Sequence, residues 1–455
     1  MTKKRSLQPN KFIVKKSNSN NRSKPIFPIP LWLASLLNKA KRTNFFTKPK
    51  SFNFAKIIKS IFSKRKKLLT LTSGIFFASL ILAGGIFLKV KYDQIEVFAL
   101  SANEEKLANL YNNKTQNIIY INFTEGSDSN KFAKYISIIS YNKINNNLKI
   151  LAVEPKLVAY YKNKAYTLET LYNNINENSE TRIQKFIETA EGILGVRIDG
   201  YIAVENQAYG TFIKNKGLSM VLTENYKVDN KFYKAGDSIF GEDLLKYLHI
   251  TDSAEEVDST LYRNNIFVTN MLQTNRNIFF SIFNFFDSQS FTNTFKTNLD
   301  KSSMLRLYND LFFQSNLPIQ SQYILLKDGY LIDTLAGKAL VVNQIDIDNK
   351  VQEVFRDLDI VREQAKIEVL NASRESGLAT FVKKIIQNSG GNVVNSGNYS
   401  TIEEEPVLYI IDSNINDYAN TIALIQSLYP NVKIKENDYK YNKLGNLILV
   451  IGAKE

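Results

Sequence analysis

Apolar residues along this chain fall into three rhythms. The first is LLTLTSGIFFASLILAGGIFL, Leu68 to Leu88, 21 residues without a charge. At about 1.5 Å of rise per residue, a helix of that length spans roughly the 30 Å hydrocarbon core of a bilayer. Beyond it, short β-branched and aromatic runs alternate with stretches of helical period. IIYINF (118–123), YISIISY (135–141) and KILAV (149–153) read as strands, with Asn145-Asn146-Asn147 as a hairpin turn between the last two. LAVEPKLVAYY (151–161) carries the third strand into a proline turn and an apolar continuation. Phe186, Ile187, Ala190, Ile193 and Leu194 mark an amphipathic helix starting at Ile183 and closed by Gly195. There follow the strand YIAV (201–204), a short helix over Ala208–Ile213 stopping at Lys216-Gly217, the strand SMVLTE, and helices over Glu242–Leu248 and about Val257–Leu272. Residues 274–345 continue as helix, loop and a hairpin-like DGYLID around Asp328. Such alternation predicts an α/β unit with helices on both faces of a mixed sheet.

A charged helical segment, Val351 to Glu363, leads to a second series. IEVLNAS (367–373) is a strand, and Gly377–Gln387 is a helix stopped by Gly390-Gly391. VLYII, a helix ending before Pro430, VKIKE and NLILVIG complete the order β-α-β-β-α-β-β, a small α/β sandwich. At 455 residues the chain exceeds what a single core serves. The expected organisation is a tail (1–67), a membrane helix (68–88), a polar connector (89–114), an α-β-α unit (115–345), a helical linker (346–364) and the sandwich (365–455).

Charge changes the picture only at the N-terminus. The net charge is +14, yet residues 1–67 hold 19 Lys or Arg and no Asp or Glu, leaving 39 basic against 44 acidic residues elsewhere. No DNA-reading element accompanies the basic tail, so nucleic acid is not an expected partner. Residues 1–24 have too little to bury and are expected to be disordered. Phe54, Ile57, Ile58, Ile61 and Phe62 lie at helical spacing among lysines, a pattern suited to anionic lipid; PIPLWLASLL (28–37) suits it too. Lys64-Arg65-Lys66-Lys67 before the apolar run places the N-terminus in the cytoplasm and about 365 residues beyond the plasma membrane. The run lies too far into the chain for an ordinary cleaved signal peptide and reads as a retained signal-anchor. There is no cysteine, so no disulfide supports the outer units.

No glycine-rich phosphate loop, nucleophile elbow or HExxH motif occurs. The single histidine has no partner histidine or cysteine to build a transition-metal site. A resemblance carries more. IEVLNASRESGLATFVKKIIQNSGGNVVNSGNYS, ending in GNLILVIGAKE, resembles the LytR C-terminal domain over about 90 residues, with Asn371, Gly377, Leu378 and Ala379 in place. GILGVRIDGYIAVENQAYGTFIKNKGLSMVL (192–222) and KAGDSIFGEDLLKYL (234–248) are similar to the LytR-CpsA-Psr domain, and anchor, domain and C-terminal module follow that family's order.

The resemblance implies an envelope phosphotransferase that moves a glycopolymer from a polyprenyl pyrophosphate carrier to the cell wall. Such chemistry needs arginines on the pyrophosphate, carboxylates on a magnesium ion and an apolar lipid pocket. The family's Pro-Arg-Asp turn falls on Pro155-Lys156-Leu157, and its Asp-Thr pair on Lys134-Tyr135. A later arginine falls on His249, and a pair of arginines near Thr260 and on Arg263, followed by Asn264. No catalytic constellation is therefore expected intact. Candidate pyrophosphate contacts are Lys156, His249 and Arg263; candidate lipid-pocket residues are Leu157, Tyr160, Tyr161 and Phe267; Glu125 is the one weak metal candidate, for magnesium. Each has a plainer reading, as a solvated cation, a structural histidine or a core aromatic. The expectation is a degenerate member of this class that binds polyprenyl-linked glycan, peptidoglycan or another envelope protein. An active divergent transferase and a regulator working through the basic tail are the alternatives.

Overall fold

The computed structural model describes residues 78–87, 89–90, 115–125, 130–145, 147–249, 258–274, 295–299, 318–334, 337–411, 415–439 and 443–452. The basic tail, its amphipathic segment and nearly all of the connector lie outside these residues. Of the apolar run, residues 78–87 are helical with exposed side chains. Among the described residues no helix is long and apolar enough to cross a membrane.

Three long apolar runs build the centre of the larger lobe. β1 (Thr115–Glu125), β2 (Lys131–Asn142) and β3 (Asn147–Val153) form an antiparallel meander. The turn between β2 and β3 is held by the Asn142 side chain, which accepts from the backbone N–H groups of Ile144 (3.1 Å) and Asn145 (2.9 Å). β4 (Val158–Tyr161) and β5 (Lys164–Thr167) make a separate hairpin, turning through Lys162 and Asn163, both at positive φ as a tight two-residue turn requires. β6 (Gly200–Glu205) joins β1 in parallel.

The smaller strands β7 (Ser219–Val221), β8 (Tyr226–Val228), β9 (Lys231–Tyr233) and β10 (Ser238–Phe240) form two side ribbons. β11 (Phe295–Thr297) and β12 (Ile319–Ile324) close the main sheet in the order β11-β6-β1-β2-β3-β12. β13 (Gly329–Thr334) and β14 (Gly337–Val342) form the hairpin expected around Asp328.

Alternation along β1 separates two cores. Ile118 and Tyr120 face one side, with α3 (Asn206–Lys216), α4 (Gly241–His249) and α5 (Asp258–Thr274) packed over them. Ile119 and Ile121 face the other, covered by α1 (Leu168–Asn174), α2 (Ser179–Leu194), β14 and α6 (Gln344–Phe355). This is the expected mixed-sheet α-β-α layering. The charged linker differs from one continuous helix. It breaks after α6, where Asp357 accepts from the N–H of Asp359 at 2.9 Å and starts α7 (Leu358–Glu363).

The smaller lobe has the order read from the pattern: β15 (Lys366–Asn371), α8 (Leu378–Asn388), β16 (Asn392–Asn398), β17 (Val407–Ile410), α9 (Ala419–Leu428), β18 (Lys433–Glu436) and β19 (Leu447–Ile451). Its sheet runs β16-β15-β19-β17-β18, and both helices cover one face. Two polar devices join the lobes. Lys384 and Asn388 of α8 donate to the last carbonyls of α2, Asn388 reaching Leu194 O at 3.1 Å and Gly195 O at 3.2 Å. Glu363 accepts from the backbone N–H groups of Asn420 (2.6 Å) and Thr421 (2.8 Å), capping α9 with a carboxylate.

Candidate functional site at the carboxyl edge of the sheet

β1, β3, β6 and β12 run parallel to one another, so their carboxyl ends share one edge of the sheet, the usual place for a ligand in open α/β folds. The opening of β2 lies there too. Its register against β1 slips between Asn122 and Phe123: Tyr135 pairs with Asn122, Ala133 with Phe123, and Lys134 is the extra residue. A bulge re-aims the side chain it carries, and here it projects an ammonium from the edge.

Lys134 is ion-paired with Glu169 in the first turn of α1. Beside it, Glu205 at the end of β6 accepts from Lys131 (2.5 Å) and Lys296 (2.9 Å). Burial pulls the Glu205 carboxyl upward, but the hydrogen bonds from the two lysines outweigh that and hold it below the usual carboxylate range. The edge is thus a row of three lysines that share two carboxylates of the same chain.

The sequence candidates divide around this row. Lys156 occupies the turn after β3, where its N–H donates to the buried Glu154 (3.3 Å) and its carbonyl accepts from Leu340 (2.7 Å). His249 ends α4. Burial, then the charge of Lys134, pushes its imidazole down to about 4, so it is neutral at pH 7. Arg263 is 3% exposed, stacked over the rings of Tyr226 and Tyr247 at 5.4 and 5.1 Å, and donates to the Thr260 hydroxyl at 3.2 Å. Asn264 beside it donates to Leu248 O at 2.7 Å and so fixes the end of α4. Arg263 and His249 belong to the layer above one face of the sheet. Lys156 lies beside Leu157, in the core under the other.

The four lipid-pocket candidates do not form one pocket. Leu157 is wholly buried with Tyr161 packed against the same core, Phe267 is buried in the core on the opposite face, and Tyr160 is 66% exposed. Period-two alternation puts the sheet between them, which spacing along the chain did not reveal. Above the sheet, Tyr120, Tyr135 and Tyr209 fill the space under α3 and α5, and burial raises all three phenols.

Glu125 is exposed at the end of β1, opposite Lys131 in register. Among the described residues no three acidic or histidine side chains come together as metal ligands. Where the resemblance places a ligand carboxylate, the bulge carries the Lys134 ammonium, so these residues do not fit a magnesium ion.

Sequence reasoning missed Lys131, Glu169, Glu205 and Lys296. The ion pairs to Glu205 join residues 74 and 91 apart in the chain, which no local pattern signals. The bulge shows only in the fold, where Ala133 and Tyr135 are both buried yet pack into opposite cores.

No protein-family model matches the chain, and no curated protein is similar to it. Solved structures are. "Crystal structure of B. subtilis TagV" matches with a TM-score of 0.43 and 14% identity, covering 52% of this chain and 94% of that one. "TagT bound to LI-WTA" has a TM-score of 0.41 and 11% identity, over 52% and 88%. A transcriptional regulator, EF0465 of Enterococcus faecalis, has a TM-score of 0.42 and 11% identity, over 70% and 95%. TagV and TagT are LytR-CpsA-Psr proteins. At these scores and identities the likeness carries no functional argument.

Proposed function

We propose that this chain is a single-pass envelope protein related to glycopolymer transferases, that its phosphotransfer site is degenerate, and that its outer lobes bind rather than catalyse. Its ligand class is envelope glycopolymer, polyprenyl-linked or in peptidoglycan, or an envelope protein partner. The observation that carries this reading is the pairing of Lys134 with Glu169, and of Lys131 and Lys296 with Glu205. A diphosphate arriving there competes with internal carboxylates for these lysines, and among the described residues no guanidinium fork stands in the row to repay the exchange.

The basic residues Lys64 to Lys67 ahead of the apolar run support the cytoplasmic N-terminus. The test is transfer of a radiolabelled glycan from its polyprenyl pyrophosphate carrier to peptidoglycan by the full chain with magnesium. No turnover is the expected result. Turnover that disappears in Lys156→Ala would overturn the reading.

A further inference from the structure

The opposite end of the sheet meets the smaller lobe across a cleft. It has two parts of about 280 and 480 Å³ that share Thr115, Phe355 and Asp357, the larger within the range of ligand pockets. The first lies against the β2–β3 turn and the break between α6 and α7. The second runs from Asn117 and Arg197 to α9 of the smaller lobe. The cleft is about eight strand residues, roughly 25 Å, from the carboxyl edge.

Its wall has a definite chemistry. Asn145 and Asn147 line it from the larger lobe and Gln426 from the smaller; Asn142 and Asn420 are on the wall too, but their amides already serve the β2–β3 turn and Glu363. An amide side chain offers a donor and an acceptor on one group, and a ligand hydroxyl requires both kinds of partner. Phe355, common to both parts, supplies a ring. Four cations line it, Lys149, Arg197, Arg356 and Arg362, against three carboxylates, Asp199, Asp357 and Asp359; Arg197 pairs with Asp199 at 2.9 Å and Arg362 with Asp359 at 2.9 Å. Burial lowers Lys149, with Asp357 acting in the other direction. A polyanion would find Arg197 and Arg362 already paired and three carboxylates on the same wall, whereas an uncharged ligand with many hydroxyls loses nothing by that arrangement.

The geometry points to the cleft between the lobes as a binding groove for a neutral saccharide, gripped by amides from both lobes and by the face of Phe355. This goes beyond the reading of the carboxyl edge and uses none of its residues.

The full chain in detergent micelles would be followed by hydrogen exchange and mass spectrometry with chitotetraose or maltotetraose at millimolar concentration, and with inorganic pyrophosphate as the charged probe. The proposal expects a saccharide to protect peptides covering 142–149 and 420–430 together. Asn145 lines the first part and Gln426 the second, and both are exposed, so Asn145→Ala with Gln426→Ala leaves the cores intact and should weaken the apparent affinity by roughly tenfold or more. Phe355→Leu should weaken it too, while Lys134→Met at the other end should leave it unchanged. Protection by neither saccharide, protection by pyrophosphate alone, or protection indifferent to both cleft variants would each overturn the groove. None of these outcomes bears on the carboxyl edge, whose failure is read from the transfer assay.

Discussion

His249 is the only histidine of the chain, which makes its titration separately visible. Its folded value of about 4 lies below the ordinary 6.5, so between those values the unfolded chain binds more protons than the folded one. Stability is therefore full above pH 6.5 and falls as pH drops toward 4, by on the order of 3 kcal/mol in all. Urea unfolding at pH 7 and pH 4.5 should show this loss, and His249→Gln should flatten it. Lys134 is the second cause of the depression after burial. Replacing it in Lys134→Met should raise the His249 value, read from the Hε1 proton resonance against pH; an unmoved titration would show that the ammonium is not where the bulge places it.

At the scale of elements, two helix ends join the lobes. Gly195 closes α2 at φ +61, and a Cβ there would meet Lys384 Cγ at 2.5 Å and Asn388 Nδ2 at 2.6 Å. Gly217 closes α3 at the same φ with nothing within 4 Å. Gly217→Ala should therefore cost only the left-handed backbone penalty of about 1–2 kcal/mol, and Gly195→Ala distinctly more, with earlier proteolysis between the lobes. Comparative urea unfolding with limited trypsin digestion separates the two. Glu363→Ala removes the carboxylate from the start of α9 and should cost about 1–2 kcal/mol, measured in the same way.

Legibility in the sequence followed local physics. β1, β2, β3 and the whole order of the smaller lobe could be read because buried strands are continuous β-branched runs and α8 keeps its period. β12, reading IQSQYI, is a half-exposed edge strand whose polar residues hide it. α1 is seven residues, too short to show a period, and KNK in the β4–β5 turn reads as any polar loop. Lys156, His249 and Arg263 were found by their order along the chain. That one lies beside a different core from the other two is a property of the folded sheet.

Across the whole molecule, one sheet has two chemically different ends. At the carboxyl edge three lysines share two carboxylates of the same chain, and the far end opens a polar cleft against a second lobe that is held in place through Lys384, Asn388 and Glu363. The most direct test is calorimetric titration of the full chain with geranylgeranyl diphosphate, with and without magnesium. Magnesium is expected to add no affinity and Lys156→Ala to change nothing. A gain of roughly tenfold or more with magnesium, abolished by Lys156→Ala, would contradict it.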